Sequence, residues 1–173
     1  MSRQAPRILG IDPGSTVTGF AVLDGGPQPA ARVVDCVRLS EGDFPTRLGV
    51  IFMRLKAVIE DYAPDQMAIE NVFMARNASS ALKLGQARGA AICAGAAAGL
   101  SVAEYTPTQI KSAIVGRGHA DKRQIQHMVA LLLNLTPPLQ SDAADAAAVA
   151  LCHAHHAQTA SRSANARITA GRA

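Results

Sequence analysis

The chain has 173 residues, a mass of 18.0 kDa, an apolar fraction of 49% and a formal net charge of +4. This length fits one domain with its own core, and the periodic apolar runs exclude a disordered chain. Three scattered Cys residues exclude a disulfide framework and are typical of a reducing compartment, and the longest uncharged apolar stretch is too short to span a bilayer. We therefore expect a cytoplasmic protein without a membrane partner.

The first third of the chain predicts three strands and a helix. Apolar segments at residues 7–12, 18–23 and 31–39 are separated by tight turns, and successive strands joined in this way pair antiparallel. Between Phe44 and Tyr62 the apolar residues recur at spacings of three and four. This spacing predicts an amphipathic helix that ends before Pro64.

The rest of the chain alternates strands and helices. Short strands are predicted at residues 66–70 and 101–105, with a helix from Asn77 to about residue 99 between them. Three more helices follow, at residues 107–115, 121–135 and 141 to about 157. Residues 160–173 lack periodicity, so we predict a single domain of residues 1–159 followed by a disordered basic tail.

This order of elements predicts an α/β fold. We expect a mixed five-stranded sheet, with three antiparallel strands followed by parallel strands, and helices on both of its faces. Open sheets of this kind carry their chemistry at the carboxyl ends of their strands. Candidate functional residues are therefore sought there.

Four carboxylates stand out by position. Asp12 and Glu70 end predicted strands, and Asp142 and Asp145 begin the last helix, three residues apart. Considered singly, Asp12 is explained as a turn residue, and Asp142 and Asp145 are explained as negative charges that complement the dipole at a helix start. Taken together, the four acids predict a divalent-cation site without His or Cys, which suits Mg²⁺, or Mn²⁺ in its place, better than zinc. Two such ions about 3.5–4 Å apart can promote phosphodiester hydrolysis.

The positive charge is concentrated in the middle of the chain. Residues 70–123 hold seven basic residues against three acidic ones. This surface is typical of a protein that binds a polyanion, and a charged face kept for solubility is the alternative.

Three segments carry a family resemblance. The runs GIDPGSTVTGFAV, AIENVFMARNASSALKLGQARGAA and SDAADAAAVA resemble the RuvC family of Holliday-junction resolvases, which has a ribonuclease-H-like fold. The resemblance runs from about residue 8 to 156. It implies that the family's four acidic metal ligands match Asp12, Glu70, Asp142 and Asp145. It also implies that its two catalytic basic residues match Lys111 and Lys122, and that its junction-contacting aromatic matches Phe73.

The resemblance also implies an activity and partners. Members of the family are homodimers that cut two opposing strands of a four-way DNA junction in recombination and repair. They work beside a branch-migration helicase complex of the RuvA and RuvB type. For this chain we accordingly expect Mg²⁺ dependence, with two ions at each site.

Several further residues are predicted to contact DNA. The sequence alone favours core packing for Phe73, whereas the resemblance implies that its ring is a wedge against a DNA base. Lys111 and Lys122 read as solvated lysines or as groups that hold the DNA backbone at the site. The remaining predicted phosphate contacts are Arg76, Lys83, Arg88, Arg117 and Arg123. We interpret His153, His155 and His156 as surface histidines, and His127 as a partly buried packing residue.

Three other functions were weighed. The GIDPGST run resembles the phosphate-binding hairpin of actin-like and sugar-kinase ATPases, but those enzymes need two lobes and a second glycine-rich loop. A junction-binding protein without nuclease activity would not need four carboxylates beside a phosphate backbone. A nuclease for RNA–DNA hybrids would share the cation site and differ only in its substrate.

Overall fold

The computed structural model describes residues 5–39, 42–71, 77–116 and 120–170, with side chains up to residue 160. The strands are β1 (Arg7–Asp12), β2 (Val17–Asp24), β3 (Ala30–Arg38), β4 (Gln66–Glu70) and β5 (Ser101–Tyr105). The helices are α1 (Phe44–Tyr62), α2 (Ala78–Ala97), α3 (Pro107–Val115), α4 (Lys122–Leu132) and α5 (Ser141–Ala170). No helix in the described ranges is both long enough and apolar enough to cross a membrane.

The five strands form one sheet in the order β3-β2-β1-β4-β5. β1 pairs antiparallel with β2, and β2 with β3, whereas β4 runs parallel to both β1 and β5. The predicted mixed sheet, with three antiparallel strands followed by parallel ones, is confirmed. It follows from hairpin turns early in the chain and helical crossovers later.

Alternating side chains divide the core between the two faces of the sheet. Along β1, Leu9 and Ile11 pack with α1 and α2, whereas Ile8 packs with α3, α4 and α5. β4 repeats the pattern, with Met67 and Ile69 on the first face and Ala68 on the second. This period of two is the ordinary consequence of strand geometry, and it decides which strand residues face α5.

Helix starts coincide with residues that cap them. Asn77 accepts a hydrogen bond from the Ser80 backbone at 2.8 Å and starts α2. Thr106 and Gln109 form a reciprocal capping box at the start of α3, with Pro107 as the first helical residue. Such caps satisfy the free N–H groups of the first turn. They explain why these boundaries could be predicted from local sequence.

The end of α5 differs from the prediction. The loss of apolar periodicity predicts a helix end near residue 157 and disorder from residue 160, but the backbone stays helical to Ala170. The physical reason is that residues 158–170 contain neither Gly nor Pro, so nothing in them ends a helix. The predicted end of the helix is therefore wrong. The division of the chain at residue 159 stays a prediction.

The interpretation of the histidines is also corrected, except at His156, which is exposed as predicted. His127 is exposed rather than partly buried. His153 is half-buried, with its Nδ1 2.8 Å from the Tyr105 hydroxyl and its Nε2 2.9 Å from Gln66 Oε1. His155 is also half-buried and contacts a backbone carbonyl of α3 at 3.1 Å. Periodicity alone could not place these residues, because the rotation of α5 against the sheet and α3 decides which ones are covered.

Candidate active site

Two carboxylates meet at the carboxyl ends of the central strands. Asp12 and Glu70 are the last residues of the parallel neighbours β1 and β4, and the register pairs Ile11 with Ile69 just before them. Because Ile8 faces α5, the alternation along β1 directs Asp12 to that same face. The strand register thus brings the two acids side by side beneath α5.

The other two carboxylates are supplied by α5. Asp142 and Asp145 lie at the start of this helix, and a spacing of three places them on one side of it. A β-carbon at Gly19 of β2 would overlap the carbonyl oxygen of Asp142, so the start of α5 rests directly on the strand backbone. Only glycine permits this approach.

Electrostatics show that the four acids form one group. The pKa of Asp12 is raised to about 8, first by burial and then by the negative charges of Glu70, Asp145 and Asp142. Burial also raises the pKa of Glu70, as does the charge of Asp145, while a hydrogen bond to Asp12 and the nearby lysines oppose the rise. The hydrogen bond between the two side chains raises the pKa of Asp12 and lowers that of Glu70, so the proton they share resides on Asp12. Burial and like charges are the expected causes of such shifts.

A proton and a lysine, rather than a complete set of cation ligands, compensate the charge of these carboxylates. Among the described residues, no three His, Cys, Asp or Glu side chains are arranged to hold a metal ion. Asp12 instead shares its proton with Glu70, and Asp145 pairs with Lys122. We attribute this arrangement to repulsion, because buried carboxylates need either protons or cations nearby. Since every donor is a carboxylate oxygen, the set fits a hard divalent cation such as Mg²⁺.

Two lysines, Lys111 and Lys122, lie beside these carboxylates. Lys122 Nζ lies 2.7 Å from Asp145 Oδ2, although the lysine side chain is 59% exposed. Burial lowers the pKa of Lys122, but the hydrogen bond and charge of Asp145, with the charges of the other aspartates, outweigh it and raise the pKa. Lys111 lies close enough to act on the charge of Glu70. Both lysines therefore interact electrostatically with the four carboxylates.

A cavity of about 270 Å³ opens beside these side chains. Its polar wall includes Glu70, Lys111, Lys122 and Asp145. Its apolar wall is built from residues of α3, α4 and α5, among them Ile110, Ile125 and Val149. Carboxylates and ammonium groups thus border a recess that solvent can enter.

The residues predicted to contact DNA differ in their exposure, and some of them lie outside the described ranges. Phe73, Arg76 and Arg117 lie outside the described residues. Lys83 is exposed, with its Nζ 5.9 Å from the centroid of the Phe44 ring, and Arg123 is exposed next to Lys122. Arg88 differs, because its side chain is only 20% exposed and is engaged by protein groups. The phosphate contact at Arg88 stays a prediction, and the structure adds that its guanidinium already has protein partners.

Sequence reasoning missed residues that hold the site in place. Thr18 is fully buried, and its hydroxyl donates to the Gly14 carbonyl at 3.0 Å and accepts from the Gly14 N–H at 3.3 Å. It thereby fixes the turn that follows Asp12. Asp121 and Gln124 form a capping box that places Lys122 at the first helical position of α4. The spacing of Asp121 and Gln124 was a readable signal, whereas nothing local marked Thr18.

The fold and the site together define a class of protein. A mixed five-stranded sheet flanked by helices, with acids at the ends of its central strands and at the start of its last helix, is the architecture of the ribonuclease-H-like nucleases. The family model of the crossover junction endodeoxyribonuclease RuvC matches residues 8–153. The chain belongs to the RuvC family.

Relatives and solved structures agree with this assignment. The chain is 56% identical over 156 residues to the crossover junction endodeoxyribonuclease RuvC of Methylococcus capsulatus, which covers 90% of this chain and 94% of that one. It is similar to T. thermophilus RuvC in complex with a Holliday junction substrate, with a TM-score of 0.84, 35% identity and coverage of 90% and 96%. The yeast mitochondrial resolvase Ydc2 shares the fold, with a TM-score of 0.65, 15% identity and coverage of 88% and 82%.

Proposed function

We propose that this protein is a structure-specific endonuclease that resolves four-way DNA junctions, in recombination and repair, by paired symmetric cuts. The observation that carries the proposal is the meeting of four carboxylates with Lys111 and Lys122 at one edge of the sheet. The similarity to a RuvC that was solved with a Holliday junction supports the choice of substrate. The alternative functions weighed from the sequence have no comparable support.

The carboxylates are proposed to hold Mg²⁺, with Mn²⁺ able to replace it, as two ions per site. Asp12, Glu70, Asp142 and Asp145 would be the ligands, since each contributes to one electrostatic group. Bound divalent cations supply activation of water and stabilisation of the leaving oxygen in phosphodiester hydrolysis. The proton shared by Asp12 and Glu70 would leave when cations bind, because both carboxylates must then be ionised.

The lysines would act on the substrate phosphate. Lys122 has an exposed side chain, so its ammonium group can exchange Asp145 for a phosphate oxygen once that aspartate binds a cation. Lys111 lies in the wall of the same cavity and would hold the backbone beside it. A positioned ammonium group stabilises charge that develops on a phosphate during cleavage.

We further propose a homodimer that works in the cytoplasm beside a branch-migration helicase complex of the RuvA and RuvB type. One active site cuts one strand, so two symmetric cuts need two sites related by a two-fold axis. The outer side of α2 is our candidate interface, because the small residues Gly85 and Gly89 are uncrowded there. The cytoplasmic location rests on three free cysteines without disulfide partners.

The proposal is tested by offering three substrates: a synthetic four-way junction, a linear duplex of the same sequence and an RNA–DNA hybrid. Each is incubated with and without Mg²⁺, and the products are resolved on a denaturing gel. We expect paired nicks in the junction alone, and only with Mg²⁺. Preferential cutting of the hybrid would contradict the proposed substrate.

Asp145→Asn is the matched variant in this experiment, because it keeps the shape of the side chain and removes its charge. Losing one electrostatic contribution of about 3–4 kcal/mol in the transition state predicts a fall in cleavage rate of at least about a hundredfold. Junction binding without metal should hold or improve, since one repulsive carboxylate is gone. A variant that cleaves at the wild-type rate would remove Asp145 from the site.

A further inference from the structure

Arg88 on α2 is bound to the strand that carries Glu70. Its Nε donates a hydrogen bond to the backbone carbonyl of Glu70 at 3.2 Å. Its Nη2 lies 2.5 Å from Glu104 Oε2 on β5. One guanidinium therefore joins α2 to the ends of two neighbouring strands, directly behind a predicted cation ligand.

The end of β4 has few other restraints. The ladder between β1 and β4 stops at Ile69, so Glu70 has no paired residue on the β1 side. On the β5 side, Glu70 is opposite Tyr105, and the Asn71 N–H donates to the Tyr105 carbonyl at 2.8 Å. The bond from Arg88 satisfies the Glu70 carbonyl, and such buried carbonyl groups need a partner. Arg88 thus fixes the backbone from which the Glu70 carboxylate projects.

The environment of Arg88 is unsuited to a phosphate contact. Its Nη2 is almost without solvent exposure and has no hydrogen bond of good geometry in the described structure, so the ion pair with Glu104 provides its charge compensation. The side chain is 20% exposed, whereas the neighbouring predicted phosphate contact Lys83 is exposed. A phosphate that approached Arg88 would have to displace a carboxylate that already neutralises it.

We propose that Arg88 is a positioning residue, which holds the end of β4 so that the Glu70 carboxylate stays in reach of the cation bound by the other three acids. This inference rests on the proposed function, because it assigns Glu70 to a cation site. Partners that orient metal ligands change metal affinity by about 10–100-fold when they are removed. We expect Arg88 to act on cation affinity and to leave DNA affinity unchanged.

The test compares Arg88→Ala and Arg88→Lys with Arg123→Ala, an exposed residue of the same type. Mn²⁺ binding to the DNA-free proteins is measured by electron paramagnetic resonance, and junction binding is measured without metal at several salt concentrations. Both Arg88 variants should bind Mn²⁺ at least tenfold more weakly, with an unchanged salt dependence of junction binding. Arg123→Ala should leave Mn²⁺ affinity unchanged and should lower the salt slope of junction binding by about one, as expected for the loss of one phosphate contact.

A third variant, Glu104→Gln, tests the same interaction if Arg88→Ala folds poorly. It leaves the Arg88 hydrogen bond to Glu70 in place but removes the charge partner, so Mn²⁺ affinity should fall by a smaller factor than in Arg88→Lys. Circular dichroism and the melting temperature check that each variant is folded. Unchanged Mn²⁺ affinity in folded Arg88→Lys, or a salt slope reduced by one, would overturn the inference. Failure of the wild-type protein to bind Mn²⁺ would instead overturn the proposed function.

Discussion

Asp12 is the residue whose chemistry depends most on its surroundings. It ends β1 beneath α5, and burial together with three neighbouring carboxylates raises its pKa to about 8. In the metal-free protein it is therefore largely protonated at neutral pH, and a cation must displace that proton. Proton and metal binding at this site are thus coupled.

This coupling predicts how the stability of the metal-free protein depends on pH. The folded pKa of Asp12 lies above its ordinary value of 3.8, so its contribution is fully present below pH 3.8 and is lost as pH rises through about 8. Between pH 6 and pH 8.5 the loss should be on the order of 2–3 kcal/mol by linkage. Denaturant unfolding in EDTA measures it.

The variant Asp12→Asn isolates this effect from other titrating groups, because it removes the carboxyl and keeps its size. Its stability should change much less over the same pH range, whereas the exposed Asp61→Asn should behave as the wild type. Parallel pH profiles for Asp12→Asn and the wild type would show that Asp12 is not the group responsible.

At the residue scale, local sequence marks candidate residues but not the side chains that surround them. The four acids could be singled out because they end strands or begin a helix, and these positions are readable locally. The DNA contact at Arg88 stays a prediction, but its partners Glu70 and Glu104 could not be foreseen, because they are distant in the chain and become neighbours only in the folded sheet. The sequence shows which residues carry charge, but it does not show which side chains or backbone groups surround them in the fold.

Among the elements, α5 has the closest fit to the sheet. A β-carbon at Gly10 of β1 would lie 2.7 Å from the Ala150 β-carbon and would overlap the backbone of α5. The buried side chains on this side of α5 are mostly alanines, among them Ala146, Ala147 and Ala150. Small side chains on the helix and glycine on the strand therefore set the distance between the two.

This fit predicts that Gly10→Ala destabilises the protein. Overpacking of a core costs about 1–3 kcal/mol, and here the obstacle is backbone that cannot rotate away. The control is Gly49→Ala on α1, where an added methyl group meets nothing within 4 Å and should stabilise the helix by about 0.5–1 kcal/mol. Urea unfolding of both variants measures the difference, and equal stabilities would contradict the packing argument.

Element boundaries were predictable where a local signal marks them. The bounds of α1, β4, β5 and α3 agree with the prediction, since Pro64 and the Thr106–Pro107 cap punctuate the sequence. The end of α5 was not predictable in this way, because polarity increases there without any residue that ends a helix. Loss of apolar periodicity indicates loss of burial, which is a different property from loss of helix.

For the whole molecule, the uncovered side of α2 is the feature that bears on assembly. Leu82 is 64% exposed, and Gly85, Gly89 and Cys93 follow it at helical spacing. Small residues in such a row allow a second helix to approach closely. The structure leaves this row partly open, because Leu82, Gly85 and Cys93 are exposed.

We predict that Leu82→Lys weakens a dimer formed through α2, because it places a charge within an apolar contact. Light scattering at micromolar concentration should report a dimer for the wild type and a monomer for the variant, and the variant should nick junction strands singly. Leu131→Lys, at a leucine on α4 that is 61% exposed, serves as the control and should remain dimeric. A monomeric wild type that still makes paired cuts would contradict this interface.

The position of α5 also affects what becomes of unfinished or damaged chains. Asp142 and Asp145 sit on the same helix whose alanines cover one face of the sheet, so a chain that stops before this helix lacks two acids and the cover of that face. We therefore expect a chain that ends or is cut before α5 to expose that face of the sheet and to lack nuclease activity. Nuclease chemistry and folding are thus carried by one segment, so a product that lost the first would also lose the second.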